Sequence, residues 1–331
     1  MVLFKNGGMS VIWKTRGESV DKERAEVLLR RLPKTHKSYP LAKSDLWNAE
    51  SGISGERRFD DYFSASKLNF SHIILHDISL KSVLPFQLDS LLITPWCLYV
   101  FEVKNMSGRL HFKQSPPQLI QIKDDGSVTG RKSPIEQIET NEWLLEEWLS
   151  SREYFLPISS VLVFSYPKQM PENLPKEQIS IFSSQLPLFL HKLEPAKEIL
   201  SLSGMQKLAA ELRAAHSPYA HDPLCANSAF PIDVMHRGVW CENCDSLGMK
   251  RQYGTWFCPS CGISSKDAHI RALKDWKILT GHPLTNKLCR EILQIEDRHV
   301  VKRLMAGMKI EKRGAFKGTN YVLEARRSYR V

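Results

Sequence analysis

F-Q-L-D-S-L-L-I-T-P-W-C-L-Y-V-F-E-V-K-N, residues 86–105, reads as two β-strands joined by a short turn at Thr94-Pro95-Trp96. Side chains alternate between the faces of a strand, so Gln87, Asp89, Leu91 and Ile93 share one face of the first strand. By the same rule Leu98, Val100, Glu102 and Lys104 share one face of the second. Asp89, Glu102 and Lys104 therefore converge on an otherwise apolar hairpin. Buried charges are costly unless they are paired or hold a metal. An internal ion network would need partners for all three, whereas a divalent cation supplies them together.

The flanking segments extend this hairpin into an α/β domain. G-I-S-G-E-R-R-F-D-D-Y-F, from residue 52, predicts a helix opening there. Ser54 would cap it, and Glu56 would lie in the first turn, where negative charge complements the helix dipole. Phe59 and Phe63 continue a stripe from Glu56 at spacings of three and four, which sets this carboxylate at the edge of the core-facing side. A simple dipole-complementing glutamate is the alternative. Residues 72–80 read as a strand preceding the hairpin, and further strands follow at 109–113 and 118–123, with a turn at Asp124-Asp125-Gly126. Ser133-Pro134 opens a helix to about residue 149, with Gln137 near its start. Taken alone, a glutamine such as Gln137 is more often a solvated helix residue than a member of a site. Residues 161–166 form a buried strand, 179–182 a short one, and 204–216 a closing helix. This order describes a mixed sheet flanked by helices over residues 50–216. It follows an N-terminal arm, 1–49, in which no chemistry is visible, and precedes a linker, 217–235, with recurring Pro, Ala and Ser.

Phosphodiester hydrolysis needs a nucleophilic water, stabilisation of the charged transition state and help for the leaving oxygen. Two carboxylates can hold Mg²⁺ or Mn²⁺, which polarises phosphoryl oxygens and acidifies bound water. A lysine two residues along the same strand face can orient or deprotonate that water. The motifs G-I-S-G-E at 52–56, Q-L-D at 87–89, E-V-K-N at 102–105 with Gly108 shortly after, and S-P-I-E-Q at 133–137 occur in this order. Together they resemble the nuclease-related domain family, which is placed in the PD-(D/E)xK nuclease superfamily, and the resemblance covers about residues 50–165. It implies a mixed-sheet nuclease-like core flanked by helices. It also implies Asp89 and Glu102 as Mg²⁺ ligands, Lys104 as the catalytic lysine, Glu56 as a helix carboxylate at the site and Gln137 as its supporting helix glutamine. Gln87 is a further candidate on the Asp89 face.

The seven cysteines are unevenly placed: C-E-N-C at 241–244 and C-P-S-C at 258–261 are separated by thirteen residues. Four thiolates of Cys241, Cys244, Cys258 and Cys261 suit tetrahedral Zn²⁺ with no open position, a structural site. A redox or disulfide use of these pairs is the alternative. His236 and His269 flank the knuckles and are spare ligand candidates. This arrangement predicts a zinc ribbon over 236–265, folded in large part by its metal. Cys97, Cys225 and Cys289 read as small buried apolar residues. Beyond the ribbon, residues 266–331 predict helices at 267–279, 286–293 and 297–308 and then a basic hairpin, an order resembling a winged helix-turn-helix. In that reading Arg298, His299, Lys302 and Arg303 approach the major groove, while Lys309, Lys312, Arg313 and Lys317 on the wing touch phosphates. A merely solvated basic face, or a protein partner for this region, is the alternative.

Charge supports the same division. Residues 1–235 carry 27 Lys/Arg and 27 Asp/Glu, whereas residues 236–331 carry 19 and 9, so the whole net charge of +10 lies in the C-terminal segment. Such a segment attracts polyanions, nucleic acid first, although acidic proteins and anionic lipids exploit the same attraction. No apolar run is long enough to span a bilayer and the N-terminal stretch lacks a signal-peptide core, so no membrane partner and a cytoplasmic location are expected. The expected function is metal-dependent hydrolysis of nucleic acid, DNA rather than RNA, with a C-terminal targeting unit. The alternative is a non-catalytic nucleic-acid-binding or regulatory scaffold with a silent nuclease fold.

Overall fold

The computed structural model describes residues 2–5, 8–218, 221–308, 310–314 and 320–322. In chain order the elements of its first two-thirds are β1 (Val2–Lys5), β2 (Gly8–Lys14), α1 (Val20–Arg31), α2 (Tyr39–Ala65), β3 (His72–Lys81), β4 (Pro85–Ile93), β5 (Leu98–Lys104), β6 (Arg109–Gln114), β7 (Pro117–Ile122), β8 (Val128–Arg131), α3 (Pro134–Ser150), β9 (Ile158–Phe164), β10 (Met170–Glu172), β11 (Ile179–Phe182), α4 (Leu186–His191) and α5 (Leu202–Ala215). The chain divides into two units, Met1–Gly17 with Glu50–Ala220 and Glu18–Ala49 with His221–Val331.

The first unit is built on a seven-stranded sheet in the order β1-β2-β3-β4-β5-β9-β11. Strands β3, β4 and β5 form an antiparallel meander, while β2 runs parallel to β3 and both β9 and β11 continue in parallel beyond β5. The sheet is therefore mixed, with helices on both faces. Leu144, Leu145 and Trp148 of α3 and Leu208 and Leu212 of α5 pack with Leu75, Leu91 and Val100. On the other face Phe59 and Phe63 of α2 and Leu186 and Leu190 of α4 pack with Ile74, Leu92, Phe101 and Val163. Burial on both faces explains why β3 and β5 read as nearly continuous apolar runs rather than alternating ones. A smaller sheet, β10-β6-β7-β8, joins the three strands between β5 and α3 to β10, which follows β9 and pairs in parallel with β6.

One helix start differs from the sequence expectation. Helix α2 does not open at Gly52 but runs from Tyr39 to Ala65, so Ser54 is not a cap and Glu56 lies deep in the helix. Pro40 suits a first helical turn, and nothing between it and Gly52 breaks a helix. The two glycines that look like a start signal act otherwise. A Cβ at Gly55 would stand 2.5 Å from Ser165 Oγ and 2.8 Å from Asn105 Cβ, so Gly55 lets α2 approach the ends of β5 and β9 closely. Glu56 thus owes its position to packing, and the dipole explanation for it falls away.

The N-terminal arm expected over 1–49 divides between the units: β1 and β2 extend the large sheet, while α1 belongs to the second unit. There, Val27, Leu28 and Leu32 share a core with Trp256, Trp276, Ile292 and Val301. Arg31, wholly buried, donates to Asp275 at 2.8 Å and to the Gly238 carbonyl at 2.9 Å, and Arg30 adds a two-pronged bond to the same Asp275. The second unit continues with β12 (Trp240–Cys241), β13 (Ser246–Leu247), β14 (Lys250–Gln252), β15 (Thr255–Phe257), β16 (Ser264–Ser265), α6 (Ala268–Thr280), α7 (Asn286–Leu293), α8 (Arg298–Gly307), β17 (Glu311–Arg313) and β18 (Asn320–Val322). Strands β17 and β18 are antiparallel, and Tyr321 also bridges to Leu284 ahead of α7. Thr285 caps α7 and Asp297 caps α8 through their side-chain oxygens.

Candidate functional site

Strands β4 and β5 pair Leu91 with Val100 and Ser90 with Phe101, and the same register set one step further places Asp89 opposite Glu102. Asp89 Oδ2 accepts the Val103 backbone N–H at 2.8 Å, which ties the carboxylate between Glu102 and Lys104. The Lys104 ammonium donates to Glu102 Oε1 at 2.5 Å and to Gln137 Oε1, from the first turn of α3, at 3.0 Å. Ser133 caps that helix through Ile135 N–H, and Pro134 sits at its start, so the S-P-I-E-Q motif delivers Gln137 to the site. The structure therefore brings Asp89, Glu102, Lys104 and Gln137 together on one face.

Glu56 and Gln87 are placed differently. Glu56 pairs with Arg16 at 3.4 Å, and Gln87 donates to Asp77 at 2.8 Å rather than joining Asp89. Arg16 is the residue that sequence reasoning missed. Its guanidinium binds both oxygens of Asp60 at 3.0 and 3.3 Å from Nε, and it donates to the Asp89 carbonyl and the Ser90 hydroxyl, each at 2.9 Å. Ser90 in turn meets His76 Nδ1 at 2.9 Å. Burial, with Arg16 and Lys14 nearby, pushes His76 down to about 3, so it stays neutral. Arg16 thus links the α2 carboxylates to the backbone that carries Asp89. Nothing in the local sequence, T-R-G, marks it; only the parallel pairing of β2 with β3 brings it there.

Burial sets the electrostatics. Glu102, 2% exposed, is pushed up to about 7 by burial first and by the Asp89 charge second, with Lys104 and Gln137 opposing. For Lys104, burial is the largest influence and lowers its pKa, but Glu102 and Asp89 together outweigh it and hold the ammonium charged. Glu56 is also raised to about 7, by burial first, with Asp89, Asp77 and Asp60 adding and Arg16 opposing. A carboxyl raised from 4.5 to about 7 binds more protons folded than unfolded across that interval. The contribution of these two carboxyls to the stability of the metal-free protein is therefore expected to fall as pH rises from about 4.5 to 7, while buried neutral His76, lowered to about 3, contributes in the opposite sense below its ordinary value. Urea unfolding of Glu102→Gln across this range checks the share of that residue; a slope as steep as in the wild type would show that Glu102 titrates normally.

Two carboxylates on facing strand positions, with the Asp89 charge adding to the cost of ionising Glu102, are a donor set that a hard divalent cation satisfies. Mg²⁺ commonly takes one or two carboxylates and completes its shell with water and substrate phosphate. The residues present fit that ion.

The family model of the nuclease-related domain matches residues 51–165. The chain carries a nuclease-related domain. Its matched segment contains the second half of α2, the β3–β8 strands, α3 and β9, and with them Glu56, Asp89, Glu102, Lys104 and Gln137. Arg16 lies outside the matched segment of the nuclease-related domain. No curated protein and no solved structure matches the chain.

In the second unit the sulfurs of Cys241, Cys244, Cys258 and Cys261 all lie within 4.8 Å of one another. Across the knuckles Cys241 lies 3.7 Å from Cys261 and Cys244 lies 3.6 Å from Cys258. Tetrahedral Zn²⁺ with bonds of about 2.3 Å sets its sulfurs roughly 3.8 Å apart, whereas a disulfide needs about 2.05 Å. The cluster fits zinc. His236 and His269 stand outside it: His269 Nδ1 accepts the Trp256 indole N–H at 3.2 Å. Burial raises Cys289 to about 12 and Cys97 upward as well, as inert buried thiols should be, whereas Cys225, raised to about 11, is only half-buried rather than the buried residue expected. Arg298, Lys302, Arg303 and Lys312 are exposed, and Arg313 is engaged by both oxygens of Glu311. Lys309 and Lys317 lie outside the described residues. Among the described residues no helix is long and apolar enough to cross a membrane.

Proposed function

We propose that the protein is a Mg²⁺- or Mn²⁺-dependent nuclease that acts on DNA in preference to RNA and holds its polymer through the C-terminal region. The observation that carries this reading is the Lys104 ammonium fixed between Glu102 and Gln137, facing Asp89, inside a nuclease-related domain. Asp89 and Glu102 would hold the cation, which when bound polarises the phosphoryl oxygens and acidifies a bound water. Lys104, kept charged by its two acidic neighbours, serves as a donor that orients the attacking water and stabilises charge on the phosphoryl group. Gln137 fixes the Lys104 rotamer, and Arg16 holds the strand backbone at Asp89.

Incubation of the full chain with single- and double-stranded DNA and RNA, with Mg²⁺, with Mn²⁺ and with neither, tests the reading. Cleavage is expected only with added metal, and faster on DNA. If no substrate is cut under any condition, the nuclease assignment fails. A second reading, a silent site in a binding protein, is favoured by one observation: Glu102 and Lys104 already neutralise each other at 2.5 Å. That same assay separates the two.

For the C-terminal region we propose a winged-helix DNA contact. The order α6, the Leu284 bridge, α7, α8 and hairpin supports it, as does the separation on α8 of buried Val301, Leu304 and Met305 from exposed Arg298, His299, Lys302 and Arg303. Alanine at Lys302, Arg303 and Lys312 together is expected to weaken duplex binding by the full chain at least about tenfold and to flatten its salt dependence, by about 0.9 in slope per lost phosphate contact. An unchanged slope in binding titrations would leave these residues as a solvated face. Buried free cysteines and the zinc knuckles favour a reducing compartment, and we place the protein in the cytoplasm on that ground.

A further inference from the structure

The tip of the zinc-ribbon hairpin spends backbone strain on an exposed aromatic ring. Strands β14 and β15 pair Gln252 with Thr255, leaving Tyr253 and Gly254 as a two-residue loop. Both have positive φ, 44° and 80°, the pattern of a type I′ turn. The first position of such a turn ordinarily takes Asn, Asp or Gly, because a bulky side chain there is sterically penalised. Tyr253 is nevertheless fully exposed, at 105%, and therefore contributes no packing to the fold. Strained residues persist where function holds them.

The surroundings of the ring specify a ligand. Lys250 is exposed on β14, and Lys266, also exposed, follows β16, whose pairing with β15 carries it towards Thr255 beside the tip. Arg251 points to the other face of β14, where it lies over the buried Trp256 ring. Against the two exposed lysines stands Asp267. We infer that Tyr253 is a stacking platform for an unpaired base of single-stranded nucleic acid, with Lys250 and Lys266 supplying charge for the flanking phosphates. A single protruding ring can cover a base whose face is free, whereas in a duplex those faces are covered by neighbouring pairs. Aromatic rings interleaved with basic side chains are the general recognition chemistry for unpaired strands.

The inference rests on nucleic acid being the partner, and it is independent of whether Lys104 takes part in cleavage. Fluorescence anisotropy on the full chain, with no added divalent cation, would compare labelled single-stranded DNA, single-stranded RNA and duplex DNA. Tyr253→Asn, which suits the turn better, is expected to bind the single strand about tenfold more weakly. It should bind duplex as the wild type does and melt at the same or a higher temperature. Tyr253→Phe should bind as the wild type. Unchanged single-strand affinity in Tyr253→Asn, or equal losses on single strand and duplex, would overturn the inference, as would a fall in its melting temperature, which marks a structural tyrosine. If the wild type binds duplex but no single strand, this inference alone falls; if it binds neither, the nucleic-acid reading falls with it.

Discussion

Lys104→Met is expected to lower the cleavage rate by about 10²–10⁴-fold while the protein stays folded. The ammonium touches both Glu102 and Gln137, and methionine keeps most of its stem but donates nothing. Removing a cation from beside two carboxylates would ordinarily be severe, since an uncompensated buried charge costs several kcal/mol. Here the cost is limited, because Glu102 is already raised to about 7 and, without Lys104, rises further and takes up a proton. Glu102→Gln should cost at least as much activity through loss of a metal ligand, yet it should be more stable than the wild type at pH 8. The two variants thus fail for different reasons. Isothermal titration with Mn²⁺ distinguishes them: Lys104→Met retains metal binding and Glu102→Gln loses it. Wild-type cleavage by Lys104→Met would remove the lysine from the reaction, whatever the standing of the carboxylates.

The central hairpin was legible because period-two alternation is a local property. The pairs Leu91–Val100 and Ser90–Phe101 set the register that alternation required, and Asp89, Glu102 and Lys104 follow from it without further information. Gln137 was legible for a similar reason, since a Ser-Pro start fixes where its helix begins. Glu56 was found for a reason that does not hold. Its helix begins well upstream, at Tyr39, and the Gly52 and Gly55 that imitate a start are interior positions, one of them a close contact with Ser165 and Asn105. Arg16 and His76 were not legible at all. Arg16 reaches Glu56, Asp60, Asp89 and Ser90 only because β2 joins the sheet in parallel beside β3, a long-range pairing that no local pattern announces. The division of the N-terminal segment between two units was hidden in the same way.

Loss of zinc is the other change with a large expected effect, and its reach depends on what the knuckles are attached to. A ribbon of short strands, two and three residues long, cannot hold itself together by hydrogen bonds and a small core. Here the knuckle residues Cys241 and Cys258 belong to the same buried cluster as Trp276 of α6, Ile292 of α7 and Val301 of α8. Trp256 of β15 also stacks on His269 of α6 and donates to it. Structural zinc contributes about 10–16 kcal/mol in isolated finger peptides, which is comparable to the whole stability of a typical domain. Cys258→Ser is therefore expected to abolish zinc binding at this cluster and to unfold the ribbon, loosening α6 with it. The strands β3, β4 and β5 are buried in cores of their own and should keep their protection. Metal analysis gives the stoichiometry, and hydrogen exchange gives the extent: fast exchange across residues 240–280 with slow exchange retained at 73–104 is the expected pattern. Slow exchange at 240–280 in zinc-free protein would make the four cysteines an incidental cluster. The basic α8 surface would then need a different support for its geometry, because the core that α8 shares with Cys241 and Cys258 is the one the metal is expected to hold.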